Sequence, residues 1–225
     1  MAEQLYTIPV NEAFDAAEKD RDCPVCRLRS FFEDNELSIM LGGALMEPDI
    51  RKQTNKKGFC GRHAERLLKA DNRLGFALIL ESHLAEIGKA IDPPLATPDG
   101  TAKKISAITH DCYICSRADT NLERAVGSMF WLYENDAGFR EKFRRADHFC
   151  LPHYETLLKA SEKWLGKKKR AEFFGAIKSL ELRYLAALSS DVSWFCKKFD
   201  YRYDGEPWKN SKDAPERATA FLNGK

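Results

Sequence analysis

The stretch Phe59-Cys60-Gly61-Arg62-His63-Ala64-Glu65-Arg66-Leu67-Leu68-Lys69-Ala70 occurs twice in this chain, and that recurrence limits what the chain can fold into more than any other feature. Its second copy is Phe149-Cys150-Leu151-Pro152-His153-Tyr154-Glu155-Thr156-Leu157-Leu158-Lys159-Ala160, and without a gap the two agree at 8 of 12 positions, including both metal-capable residues. A Cys-x-x-Cys precedes each copy: Cys23 and Cys26 before the first, Cys112 and Cys115 before the second. The offsets match, 89 residues from Cys26 to Cys115 and 90 from Cys60 to Cys150. Both halves therefore supply Cys, Cys, Cys and His in the same order, the ligand set of a closed tetrahedral zinc site.

Read in sequence order, the first site is Cys23, Cys26, Cys60 and His63, and the second is Cys112, Cys115, Cys150 and His153. The local chemistry supports ligand roles for all eight. A Cys-x-x-Cys at the start of a helix turns both sulfurs to one point, and Cys and His three apart in a first turn share one side of the helix. Helix N-termini aim unpaired N–H groups and a positive dipole end at thiolates, favouring the anionic form that a metal needs. His110 and His148 adjoin the cysteines, but Arg21 and Gly58 stand at the equivalent first-half positions, so neither histidine belongs to a repeated ligand set. His83 reads as a helix-border histidine, and Cys196 as a small packing residue on the last helix.

Hydrophobic spacing is helical throughout. Val25, Leu28, Phe31, Phe32, Ile39, Met40 and Leu45 recur at helix-like intervals after Pro24; Ala77, Leu80, Leu84, Ile87 and Ile91 form a stripe; Ile114, Ala118, Leu122, Ala125, Met129 and Tyr133 form another. The longest run, Phe173, Ile177, Leu180, Tyr184, Leu188, Val192, Phe195 and Phe199, predicts one long final helix. No segment alternates with the period of a strand between hairpin turns. The expected fold is all-α, with two homologous helical halves at 1–92 and 111–203, a Pro-rich linker at 93–110, and a polar tail at 204–225 holding a short helix from Pro215 to Leu222.

Asp22-Cys23-Pro24-Val25-Cys26, Leu45-Met46-Glu47-Pro48-Asp49-Ile50-Arg51, Thr54-Asn55-Lys56-Lys57-Gly58-Phe59-Cys60-Gly61-Arg62-His63 and Asn72-Arg73-Leu74-Gly75 resemble a family of bacterial proteins of unknown function. The resemblance implies a cytoplasmic protein carrying both cysteine–histidine sets, and it adds no reaction.

Function is bounded more by exclusion. With 36 Lys and Arg against 34 Asp and Glu, the net charge of +2 gives no strong field towards nucleic acid or membrane. No stretch reaches the ~20 apolar residues of a membrane span, and the N-terminus shows no secretory leader, so a cytoplasmic location is the default. Seven cysteines could form disulfides; the paired histidines and the missing leader argue against it. The sequence thus favours a binding or regulatory protein with two structural zinc ions, acting through protein contacts. An iron–sulfur cluster would call for a tighter cysteine run. Three alternatives stand beside this reading. One is a nucleic-acid binder using Lys56, Lys57, Arg62, Arg144, Arg145 and Lys167-Lys168-Lys169-Arg170. Another is an enzyme with a cleft lined by Glu47, Asp49 and Arg51 and by Glu134, Asp136 and Arg140, although charged helix caps explain those groups more simply. The last is a thiol-based redox sensor. The oligomeric state is not legible.

Overall fold

The computed structural model describes residues 5–43, 47–94 and 97–224, and every regular element among them is helical. The helices are α1 (Thr7–Asp20), α2 (Pro24–Leu41), α3 (Pro48–Lys57), α4 (Gly61–Lys69), α5 (Arg73–Ile91), α6 (Pro98–Thr109), α7 (Tyr113–Asn135), α8 (Ala137–Arg145), α9 (Leu151–Trp164), α10 (Lys167–Lys197) and α11 (Ala214–Asn223). The all-α expectation holds. Leu45 and Met46, which the first periodicity and the family motif include, lie outside the described residues. No described helix is long and apolar enough to cross a membrane.

By composition Pro48 reads as a helix break followed by a basic connection through Lys56-Lys57-Gly58, and 93–110 reads as a linker, but α3 and α6 occupy most of these stretches. Pro48 does not break a helix but opens α3 from its first turn, where a missing N–H costs nothing. Pro98 does the same for α6, and the Thr97 hydroxyl accepts from the Gly100 N–H at 3.1 Å, so most of the expected linker is helical. Proline marks a helix start and a linker alike, which is why composition alone mistook these segments.

The chain folds into two compact units, one of Met1–Leu28 with Glu123–Lys225 and the other of Arg29–Leu122. Their bounds do not follow the expected halves, because α2 and α7 each begin in one unit and end in the other.

The first unit is built on an aromatic core. Phe143 of α8 sits within 5.2–6.1 Å, centroid to centroid, of Phe14, Tyr133, Phe149 and Phe173. Rings from α1, α7, α8 and α10 and from the turn before α9 thus converge, each pair adding to the burial itself. The α10 stripe is buried at Phe173, Ile177, Leu180, Tyr184 and Leu188. Beyond Val192 it emerges, and Phe199 is 75% exposed. Cys196 is exposed as well, contrary to a packing role.

In the second unit, Leu37 and Met40 of α2 join Leu67, Phe76, Ile79, Cys112, Tyr113 and Ile114 in one buried cluster. The stripe expected on α5 is off by one position. Phe76, Ile79 and His83 face the core, whereas Ala77 and Leu84 are exposed. Leu74, Phe76, Leu78, Ile79 and Leu80 place apolar residues all round this helix, so periodicity alone cannot choose its buried face.

Candidate metal centres

The eight predicted ligands gather into two groups of four, but the partners are exchanged between the repeats. Centre I consists of Cys23, Cys26, Cys150 and His153, and centre II of Cys60, His63, Cys112 and Cys115. The sequence-order pairing of Cys23 and Cys26 with Cys60 and His63, and of Cys112 and Cys115 with Cys150 and His153, is therefore corrected. Tyr113, the first residue of α7, donates its N–H to the Gly58 carbonyl at 3.0 Å, which holds Cys112 and Cys115 beside Cys60. Gly58 has φ +65°, and a Cβ on it would lie 2.8 Å from Nε2 of His83, so only glycine suits this turn. His83 is buried with Nδ1 2.9 Å from the Asn55 carbonyl, a supporting role and not a ligand's.

All four cysteines that precede a helix cap it in the same way. The carbonyls of Cys23, Cys60, Cys112 and Cys150 accept the first intrahelical bonds, from Arg27, Ala64, Ser116 and Tyr154 at 2.8–3.2 Å. Each centre therefore receives two helix N-termini: α2 and α9 at centre I, α4 and α7 at centre II.

The spacing suits a single ion. In centre I, His153 Nδ1 lies 3.7, 3.3 and 3.1 Å from the sulfurs of Cys23, Cys26 and Cys150, and the sulfurs of Cys26 and Cys150 are 3.5 Å apart. In centre II, His63 Nδ1 lies 3.3, 3.4 and 3.4 Å from the sulfurs of Cys60, Cys112 and Cys115, and Cys60 and Cys115 are 3.9 Å apart. A tetrahedron with Zn–S of about 2.3 Å and Zn–N of about 2.0–2.1 Å has edges of roughly 3.5–3.8 Å. Disulfide sulfurs would be about 2.05 Å apart, and none of the seven cysteines forms a disulfide. In each centre the four ligand atoms lie within 4.8 Å of one another, a span suited to one ion. A crevice of about 50 Å³ beside centre I is lined also by Arg21, His148, Tyr184 and Arg217.

Electrostatics show what the crowded donors lack. Burial pushes the Cys23 thiol well up, and its Cys150 and Cys26 neighbours add to the effect. Burial and the neighbouring Cys112 push Cys115 up to about 12. Burial works to lower His153, but bonds to the Cys150 and Cys26 sulfurs prevail and raise it to about 9. Cys23 and Cys115 thus resist ionising and positive charge is drawn to His153, while at Cys60 burial is outweighed by the His63 N–H and the neighbouring cysteines, which lower that thiol; a divalent cation in each centre would answer these demands together.

The centres differ in their surroundings. Centre II has a buried carboxylate, Glu33 of α2, which accepts both terminal nitrogens of Arg62 at 2.8 and 2.6 Å and Nε of Arg29 at 3.2 Å. Its Oε2 lies 3.4 Å from Nε2 of His63, a buried nitrogen that makes no hydrogen bond. Burial acts to raise the Glu33 carboxyl, but Arg62 overrides it and holds the group below its ordinary value. Sequence reading missed Glu33, because no first-half motif marks a carboxylate two turns beyond a Cys-x-x-Cys.

At centre I, His148 is not a ligand but stacks on Tyr184 at 4.0 Å. His110 is exposed and bonded to its own helix. Glu181 of α10 is buried and accepts the Phe149 N–H at 2.7 Å through Oε1, while Oε2 has no partner. Burial pushes its carboxyl up to about 7, against the Phe149 N–H and with help from Asp147. A carboxyl raised in the fold contributes stability below its unfolded value that is lost as pH rises through about 7. Glu181→Gln keeps the acceptor for Phe149 and removes the charge. We expect urea unfolding at pH 8 to find it more stable than the parent by about 1–2 kcal/mol. The gap should close below about pH 5, in the range of ordinary carboxyl titration.

One family description matches the whole chain, residues 1–225. The chain belongs to DUF6062, a family of unknown function. No curated protein and no solved structure matches it. The remaining motif residues of this DUF6062 chain perform local work. Asp136 caps α8 by accepting from Gly138 and Phe139, Arg140 donates to the carbonyls of Tyr133 and Glu134, and Asp49 lies 3.5 Å from Lys52 within α3. Of the basic residues, Lys57 pairs with Asp111, Arg62 with Glu33, Arg144 with Glu141, Arg145 with Glu18, Lys169 with Glu172 and Arg170 with Glu162. Lys52, Lys56 and Lys104 line a groove of about 480 Å³ formed by α3, α5 and α6.

Proposed function

We propose that this DUF6062 protein binds two zinc ions, one in each Cys₃His centre, and that the ions serve as structural pins for a binding or regulatory protein acting through protein contacts. The observation that carries the zinc reading is the pair of four-donor groups whose edges fit one tetrahedral ion each. Thiolate and imidazole donors favour zinc over magnesium or calcium, and four protein ligands leave no position for water or substrate. Two facts support the protein-contact reading. α10 exposes Phe174, Leu182 and Leu185, and α11 exposes Leu222; together these two helices form an apolar groove of about 360 Å³. Metal analysis of protein purified without chelator tests the zinc assignment. We expect about two zinc ions per chain, as four-ligand sites retain their metal through purification; fewer, or a different metal, would overturn it.

A further inference from the structure

Resting on the zinc reading, we propose that centre II is an oxidation site: a hydroperoxide converts Cys60 and Cys115 to a disulfide and frees the ion, while centre I keeps its own.

The asymmetry is one of access. At centre I the three cysteines are 4%, 7% and 1% exposed. The end of α11 lies over them: a Cβ built on Gly224 would come 3.4 Å from the Cys150 sulfur and 3.8 Å from that of Cys26. At centre II, Cys112 is buried, whereas Cys60 and Cys115 are both half-buried. Their sulfurs are 3.9 Å apart, so a modest closure forms the bond. The solvent-reachable pair of this centre is thus also a pair in contact. Each of the two sulfurs would be lost from a different helix start, α4 and α7.

The chemistry balances with a hydroperoxide as the oxidant. The Cys60 thiolate attacks the distal oxygen and the O–O bond breaks. The departing alkoxide, or hydroxide from hydrogen peroxide, takes a proton from solvent, leaving a sulfenic acid on Cys60. The Cys115 thiolate then attacks that sulfur and displaces hydroxide. Two thiolates have given up two electrons, and the peroxide has been reduced to an alcohol and water. The ion, held only by Cys112 and His63, leaves.

The test uses the zinc-loaded full chain carrying Cys196→Ser, since the exposed Cys196 would also consume oxidant. Hydrogen peroxide is added and zinc release is followed with a coloured chelator, with peptide mapping of the product. We expect one ion per chain to leave at least about tenfold faster than the second, in step with a Cys60–Cys115 disulfide, and a thiol reductant with zinc to restore it. Cys115→His keeps a fourth ligand and removes the resolving thiol, so its fast release should disappear. Release of both ions together, prior loss from centre I, or a mapped disulfide that omits Cys60 or Cys115 would overturn the proposal. A starting protein without two zinc ions would instead sink the zinc reading, before any oxidant is added.

Discussion

Replacing Cys23 and Cys60 together by serine should strip both metal ions, whereas replacing Cys23 and Cys150 should strip one. The exchanged pairing requires this, because Cys23 and Cys150 belong to centre I and Cys60 to centre II. The sequence-order pairing makes the opposite prediction for the Cys23 and Cys60 variant. Each centre lies within one compact unit, centre I in that of Met1–Leu28 with Glu123–Lys225 and centre II in that of Arg29–Leu122. Loss of one ion should accordingly fall on one unit. Structural zinc contributes roughly 10–16 kcal/mol of apparent binding energy in small peptides, against about 5–15 kcal/mol of total stability for a typical domain. A stripped centre should therefore melt much of the helix around it. Native mass spectrometry counts the ions, and far-ultraviolet circular dichroism reads the helicity. Cadmium substitution gives a check without any variant: couplings from each ¹¹³Cd to cysteine Hβ protons should group Cys23, Cys26 and Cys150 on one ion and Cys60, Cys112 and Cys115 on the other.

The candidate ligands were legible in the sequence because sulfur and imidazole chemistry is local: a Cys-x-x-Cys before a helix and a Cys-x-x-His across its start fix which atoms can share a point. Their partnership was not, since it is set by contacts between residues distant in sequence, such as that of Tyr113 with Gly58. One signal did exist. In the exchanged arrangement Lys57 meets Asp111 at 2.9 Å and Arg21 meets Asp147 at 3.4 Å, opposite charges flanking each centre. Pairing in sequence order would instead bring Asp147 towards Asp111, two carboxylates beside three thiolates. The α5 face escaped for a different reason, as its apolar residues encircle the helix and the choice fell to Phe76 and His83 through contacts with other elements. The helices α3 and α6 escaped because proline at a first turn has the same composition as proline in a linker.

Glu33 carries the second large effect, and it separates the two centres. Its carboxylate is 2% exposed and faces Arg62, Arg29, Arg66 and His63. Glu33→Ala removes the common partner of three guanidinium groups. Breaking a buried ion pair costs about 3–5 kcal/mol, but these arginines are 30–54% exposed and regain water, so about 2–3 kcal/mol is expected here. Because the folded carboxyl is held below its ordinary value, this contribution is present above the unfolded carboxyl range and is lost only as pH falls through the folded value. The metal should feel the change as well. A carboxylate on the far nitrogen of a ligating imidazole fixes the tautomer that leaves Nδ1 free for the ion, and removing such a partner costs about 10–100-fold in affinity. Chelator competition on Glu33→Ala should therefore show one zinc ion weakened by that factor and the other unchanged, with Glu33→Gln intermediate because an amide oxygen facing Nε2 of His63 keeps a dipole there without the charge. If both ions weakened equally, the carboxylate would be acting on the fold as a whole; a shift confined to one ion ties Glu33 to His63 and to centre II.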